Sequence, residues 1–196
     1  MKSLNNYLDA NALGFIFIGP SGSGKSTLRD YLLNKEINGH TFVQYKAHTS
    51  RKQRPAGDND YIFVSDNDLD IIESNSEILF RNEYHGNKFL TTWPKKVHDN
   101  QHYLYIYSPS GAKRIRDSFP NHKIIQILPD TKHDLRTTLL ERDPNISEIE
   151  LNRRLEIIPA EIAEGNKIAD AVFVNSNGVE ESSNKLAELI KAFISS

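Results

Sequence analysis

Gly19-Pro20-Ser21-Gly22-Ser23-Gly24-Lys25-Ser26 stands between an apolar run, Phe15-Ile16-Phe17-Ile18, and a helical pattern that is under way by Thr27. Every fixed position of G-x-x-x-x-G-K-[ST] is filled, and a strand before with a helix after gives that pattern its physical meaning. Glycines let the backbone wrap closely and aim its N–H groups at phosphate oxygens. The start of the helix behind them adds partial positive charge. Lys25 is expected to reach the β- and γ-phosphates of a nucleotide, and the Ser26 hydroxyl to ligate Mg²⁺. Gly19, Ser21, Gly22, Ser23, Gly24 and Thr27 complete the expected cofactor-binding set, with ATP or GTP as the ligand.

The rest of the chain fits around such a loop. Five short apolar runs read as buried strands: Gly14–Ile18, Thr41–Tyr45, His102–Tyr107, Lys123–Leu128 and Ala171–Val174. Helical patterns follow most of them, over Lys25–Lys35, Ser110–Ser118, a stretch capped by Asp130 that runs through Leu135, Leu139 and Leu140, and a C-terminal face of Leu186, Leu189, Ile190 and Phe193. Alternating strands and helices predict an α/β fold, a P-loop NTPase-type parallel sheet with helices on both faces. Between about 47 and 93 the texture changes to short alternating segments. Turns are expected at Pro55-Ala56-Gly57-Asp58 and His85-Gly86-Asn87, and a capping box at Ser65-Asp66-Asn67-Asp68. This reads as a small lobe inserted into one domain spanning 1–196, whose core is 1–46 and 94–196. Trp93-Pro94 is expected to end the lobe and start a helix. A second irregular stretch from Arg142, within about 142–150, is a candidate lid.

Composition narrows the setting. The 196 residues carry 24 basic and 26 acidic side chains, a net charge of −2, which argues against a chain-wide nucleic-acid footprint. There is no cysteine, and no apolar run approaches the roughly 18–20 residues of a membrane helix. No secretory signal opens the chain, so a cytosolic setting without membrane or nucleic-acid partners is the economical reading. The histidines show no metal-ligand spacing, and His40, His48, His85, His98 and His102 read as surface or structural. Tyr103, Tyr105 and Tyr107 alternate on one strand face and read as packing, with Tyr107 at the end that points toward the ligand crevice of an open α/β sheet. Nucleotide loops of this kind serve kinases, GTPases, motors and transporters. The base-reading Asn-Lys-x-Asp of GTPases is absent, and a small chain with an inserted lobe favours a kinase of a small phosphorylated molecule.

Thr49-Ser50-Arg51-Lys52-Gln53-Arg54-Pro55, followed by Asp60-Tyr61-Ile62-Phe63-Val64-Ser65, resembles the guanylate kinase family, which carries T-[TS]-R-x-x-R-P and then D-Y-x-F-V-S. The resemblance continues through Phe80–Thr91, Asn152-Arg153-Arg154-Leu155 and Val172-Phe173-Val174-Asn175, in the same order and at nearly the same spacing. It implies that Arg51 and Arg54 fork onto the acceptor's phosphate with the Tyr61 hydroxyl as a third donor, which is chemistry that guanidinium pairs do well. It implies that Arg142 and Arg154 are lid arginines closing over the transferring phosphoryl. A third lid arginine falls on Thr138; Arg136 is near in sequence but points to another side of its helix. Asn175 falls on a family position near the adenine.

The resemblance fails in the half that reads the base. The family's guanine-reading Glu and Asp fall on Phe80 and Ser108. A phosphate-contacting Tyr becomes Phe89, a Ser near the base becomes Thr91, and a Ser before the arginine segment becomes Ala47. No carboxylate lies between Tyr103 and Gly111. Phe80, Phe89, Thr91 and Ser108 therefore join Arg51, Arg54 and Tyr61 as expected acceptor-binding residues. Three functions follow: a Mg²⁺- and ATP-dependent nucleoside monophosphate kinase with changed or relaxed base preference, a kinase of another phosphate such as a ribose bisphosphate, or a nucleotide-binding module with little activity. The first is favoured, because binding modules commonly lose the loop that keeps Lys25 and Ser26 here.

Overall fold

The computed structural model describes residues 6–53, 59–84, 86–130, 134–176 and 178–196, so Arg54, His85 and the turn expected at 55–58 lie outside the described residues. In chain order the elements are β1 (Gly14–Ile18), α1 (Lys25–Leu33), β2 (Thr41–Gln44), β3 (Ala47–Thr49), β4 (Tyr61–Phe63), α2 (Asp66–Asn75), β5 (Ile78–Tyr84), β6 (Asn87–Thr92), β7 (Gln101–Ile106), α3 (Pro109–Ser118), β8 (Lys123–Pro129), α4 (Leu135–Arg142), α5 (Glu148–Ile168), β9 (Ala171–Asn175) and α6 (Val179–Ile194). They fall into two compact units, Ala10–Gln44 with Asp99–Ser196, and Met1–Asp9 with Tyr45–His98.

The larger unit is a five-stranded parallel sheet in the order β2-β7-β1-β8-β9. Its central strand, β1, is buried along its whole length because both of its faces are covered. Phe15 and Phe17 pack on one face with Leu28 and Leu32 of α1 and Leu186 and Ile190 of α6. Helices α3 and α5 lie on the other, where the Gln126 side chain of β8 donates to Ile162 O of α5 at 3.0 Å. The expected strands match observed ones to within one residue at either end, because continuous β-branched and aromatic runs have nowhere to go but a sheet covered twice.

The smaller unit holds a four-stranded sheet, β4-β3-β6-β5, with β5 and β6 forming an antiparallel hairpin. Helix α2 begins at the capping box expected from sequence: Ser65 Oγ accepts from Asp68 N, and the Asp68 carboxylate accepts from Ser65 N. Two local expectations are corrected. Helix α4 is capped by Asp134, whose carboxylate accepts from Arg136 N at 3.0 Å, and not by Asp130. Asp134 is the residue directly before the first apolar position, where a short side chain reaches the exposed N–H groups. No helix follows Trp93-Pro94; Leu8 N donates to Pro94 O and Lys96 N to Asn6 O, which commits that backbone to an extended pairing.

Near the start of β8 the His122 ring is fully buried, with Nδ1 2.9 Å from Ala12 O and Nε2 3.2 Å from the Tyr105 hydroxyl. Burial pushes its pKa down to about 4, helped by the charges of His102 and Arg116 and opposed by the bond to Ala12. The unfolded chain therefore takes up this proton first as pH falls, and stability drops between about 6.5 and 4. A shift of that size is worth about 3 kcal/mol in full and about 2 kcal/mol at pH 5. Burial lowers His48 and His102 in the same direction. Urea unfolding at pH 7.5 and pH 5 should show the loss, and His122→Gln should narrow the gap; a gap unchanged by the substitution contradicts the assignment.

Candidate active site

The loop after β1 takes its shape from what surrounds it. Gly19 has φ +134°, and a Cβ there would lie 2.1 Å from Ile127 O of β8, so neither the conformation nor the space admits a side chain. Gly24, at φ +86°, is the N-cap of α1 and offers no side chain to its exposed N–H groups. A helix start of this kind, with no side-chain cap, suits an anion. The Lys25 ammonium folds back onto its own loop, donating to Gly19 O at 2.8 Å and Pro20 O at 2.7 Å, with Ser23 Oγ at 3.5 Å. Ser21, Gly22, Ser26 and Thr27 lie in or just after the same loop, and Ser23 is buried within it.

Three further residues meet this loop. Asn175, the last residue of β9, donates from Nδ2 to Ser23 O at 3.0 Å. Thr138 and Leu135 of α4 stand over Gly22, their side chains 3.4 and 3.1 Å from where its Cβ would be. The methyl of Thr138 therefore occupies the place where a third cation was expected. Arg136 is turned away, bonded to Glu148 at 2.5 Å and Asn152 at 3.2 Å. Arg142 closes α4, and Arg154 lies on α5 with its Nε 2.7 Å from Glu150. Burial works against the Glu150 charge, but hydrogen bonds from Arg154 and Arg153 outweigh it and hold the carboxyl below its usual range. Ser108 caps α3, accepting from Gly111 N at 3.3 Å.

In the smaller unit, Thr49 is fully buried at the end of β3; its hydroxyl donates to Lys88 O at 2.7 Å and accepts from Arg51 N at 3.1 Å. This fixes the direction in which the chain leaves the strand. The Arg51 guanidinium lies 5.4 Å from the Tyr61 ring centre and 5.2 Å from that of Phe63. The Tyr61 and Phe89 rings are 5.1 Å apart. Phe80 and Thr91 are buried and oppose each other across the β5–β6 ladder, and Asn82 opposes Phe89. Strand alternation places Phe80, Asn82, Phe89 and Thr91 on one face and Arg81, Glu83, Lys88 and Leu90 on the other. Sequence reasoning missed Asn82, although its spacing two residues beyond Phe80 was signal enough.

A family model described as guanylate kinase matches residues 12–193. The chain belongs to the guanylate kinase family. It is 29% identical over 181 residues to a guanylate kinase of Nitrosomonas europaea, covering 91% of this chain and 88% of that protein. It is 30% identical over 183 residues to a guanylate kinase of Thermobifida fusca, covering 90% of each. The fold is that of the crystal structure of guanylate kinase from Anaplasma phagocytophilum, at a TM-score of 0.65 and 22% identity, over 94% of this chain and 87% of that one. The chain is therefore a nucleotide-binding kinase, a phosphotransferase whose acceptor is a phosphate group. No helix among the described residues is long and apolar enough to cross a membrane.

The close approach of Ile127 O makes Gly19 intolerant of change. Gly19→Ala combines backbone strain with overpacking against a main-chain oxygen, for a loss of about 2–5 kcal/mol in chemical denaturation. A variant as stable as the parent would mean that the loop leaves β1 along another path.

Proposed function

We propose that this chain transfers the γ-phosphoryl of ATP, with Mg²⁺, to a phosphate oxygen of a nucleoside monophosphate, and that it recognises the acceptor's phosphate and ring plane more than its base edge. The aromatic face near Arg51, which among the described residues presents Phe80, Asn82, Phe89 and Thr91 and no carboxylate, carries the second half of that reading. Loop N–H groups and the helix start hold the donor phosphates, and Lys25 exchanges Gly19 O and Pro20 O for the β- and γ-oxygens. Arg51, with Arg54, forks onto the acceptor phosphate and holds it in line. A phosphate monoester is mostly dianionic at neutral pH, so its oxygen attacks without a general base. Arg154 and Arg142 neutralise charge on the transferring group, Arg154 releasing Glu150 to do so. No covalent enzyme intermediate is needed.

Mg²⁺ suits the donors present. It keeps several waters and takes few protein oxygens. The described residues offer the Ser26 hydroxyl at the start of α1 and no cluster of three His, Asp or Glu side chains. Ser26 would hold the ion, which would supply charge neutralisation to the donor phosphates.

Guanine presents N–H donors that a carboxylate reads well, and each lost charge-assisted bond is worth about 1.5–3 kcal/mol. With Phe80 and Ser108 in the two reading positions, GMP should lose its usual advantage, because an aromatic surface stacks on any base. A screen of ATP consumption over GMP, AMP, CMP, UMP and sugar phosphates should find at least two nucleotides used within about tenfold of each other. GMP used near 10⁶ M⁻¹s⁻¹ in kcat/KM and far better than AMP would contradict the reading, as would turnover of a sugar phosphate alone. Arg51→Ala should cut acceptor use by about ten- to a hundredfold with the KM for ATP little changed, whereas Lys25→Ala should remove most turnover. An Arg51→Ala variant defective in ATP binding would move that residue to the donor site.

A further inference from the structure

Asn175 reaches the phosphate loop and not merely its vicinity. Its side chain donates to Ser23 O at 3.0 Å, and Ser23 is 1% exposed. A Cβ at Gly24 would lie 2.3 Å from the same amide nitrogen, so the amide is seated against the backbone of the loop's last turn. The carbonyl it holds belongs to the peptide that joins Ser23 to Gly24. In a planar trans peptide the C=O and N–H point in opposite directions. Fixing Ser23 O therefore fixes the Gly24 N–H on the far side of that peptide.

Gly24 sits at φ +86° and has no side chain to cap α1. A glycine there is the most easily rotated link in the loop. Its carbonyl already accepts from Leu28 N at 3.0 Å in the first helical turn. The other end of the loop is pinned differently, by the contact of Gly19 with Ile127 of β8. Asn175 stands opposite Pro129 in the ladder that joins β8 to β9. Neighbouring strands thus clamp the loop at its first and last glycines, one by close packing and one by a hydrogen bond.

We infer that Asn175 is a positioning residue for the donor phosphates, which presets the Gly24 N–H toward the triphosphate and acts whatever base the donor carries. The inference rests on the donor-site reading above. A group that positions the loop must affect a ligand that has phosphates and no base. Inorganic tripolyphosphate is that probe, used as a competitor against ATP with the intact chain.

In Asn175→Ala, the inhibition constant for tripolyphosphate and the KM for ATP should rise together by about three- to tenfold, the range expected for one such hydrogen bond. The ratio of ATP to GTP use and the KM of the acceptor should stay as in the parent. Asn175→Leu keeps the volume of the side chain without its donor, and should behave the same way while retaining the parent's circular dichroism. Tripolyphosphate inhibition unchanged in both variants, with ATP alone weakened, would place Asn175 on the base and overturn the inference. A fall in kcat at unchanged inhibition constant would show a merely structural role and overturn it equally. A parent protein that binds neither ATP nor tripolyphosphate would overturn the donor-site reading itself, and this inference with it.

Discussion

The carbonyl of Ile127 lies where a side chain on Gly19 would begin, so only glycine can carry the backbone out of β1 along the path it takes. That path exists only because β1 and β8 are parallel neighbours in the middle of a sheet covered on both faces. Burial of Phe15 and Phe17 against α1 and α6 holds the strand, the strand aims the loop, and the loop delivers the start of α1, which has no side-chain cap. The same arrangement gives Lys25 its resting place on Gly19 O and Pro20 O. A cation that can trade carbonyls for phosphate oxygens costs little to rearrange when a nucleotide arrives.

The two halves of the chemistry are built by different means. On the proposed reading, donor binding depends on a backbone shaped by glycines, together with the side chains of Lys25, Ser26 and Asn175. On the same reading, acceptor recognition depends on side chains displayed from a small sheet, where single replacements should alter the outcome. Thr49 keeps the Arg51 segment in place through two hydrogen bonds to main chain, and the arginine stays beside Tyr61 and Phe63. On the neighbouring strands the positions that the family resemblance assigns to the acceptor present Phe80, Phe89 and Thr91. Buried aromatic and hydroxyl groups cannot reproduce the charge of a carboxylate, and on that ground the proposed function pairs a phosphate clamp with weak discrimination between bases.

The parallel sheet was legible in the sequence because runs such as Phe15–Ile18 and Lys123–Leu128 are continuous, and only a doubly covered strand explains them. The phosphate loop was legible because glycines, lysine and hydroxyl have fixed spacing. Caps were harder. Asp130 and Asp134 both precede the same helix, and only the distance to the exposed N–H groups decides between them. The family resemblance marks Asn175 as a cofactor-binding residue, but its bond to Ser23 O was out of reach, since it spans 152 residues of chain. Thr138 over Gly22 is a contact of the same kind: sequence spacing marks the position, and only the packing of α4 shows what occupies it.

On the proposed reading, a weakly read acceptor base and a firmly held triphosphate have different consequences for a ligand that fills both sites. Adenosine joined through five phosphates to a second nucleoside is such a ligand, and its equilibrium affinity can be measured without turnover. With guanosine or adenosine as the second nucleoside, both forms should bind more tightly than ATP and within about tenfold of each other. A guanosine form tighter than the adenosine form by about a hundredfold or more would mean that other groups read the guanine edge, and would contradict a rebuilt acceptor half.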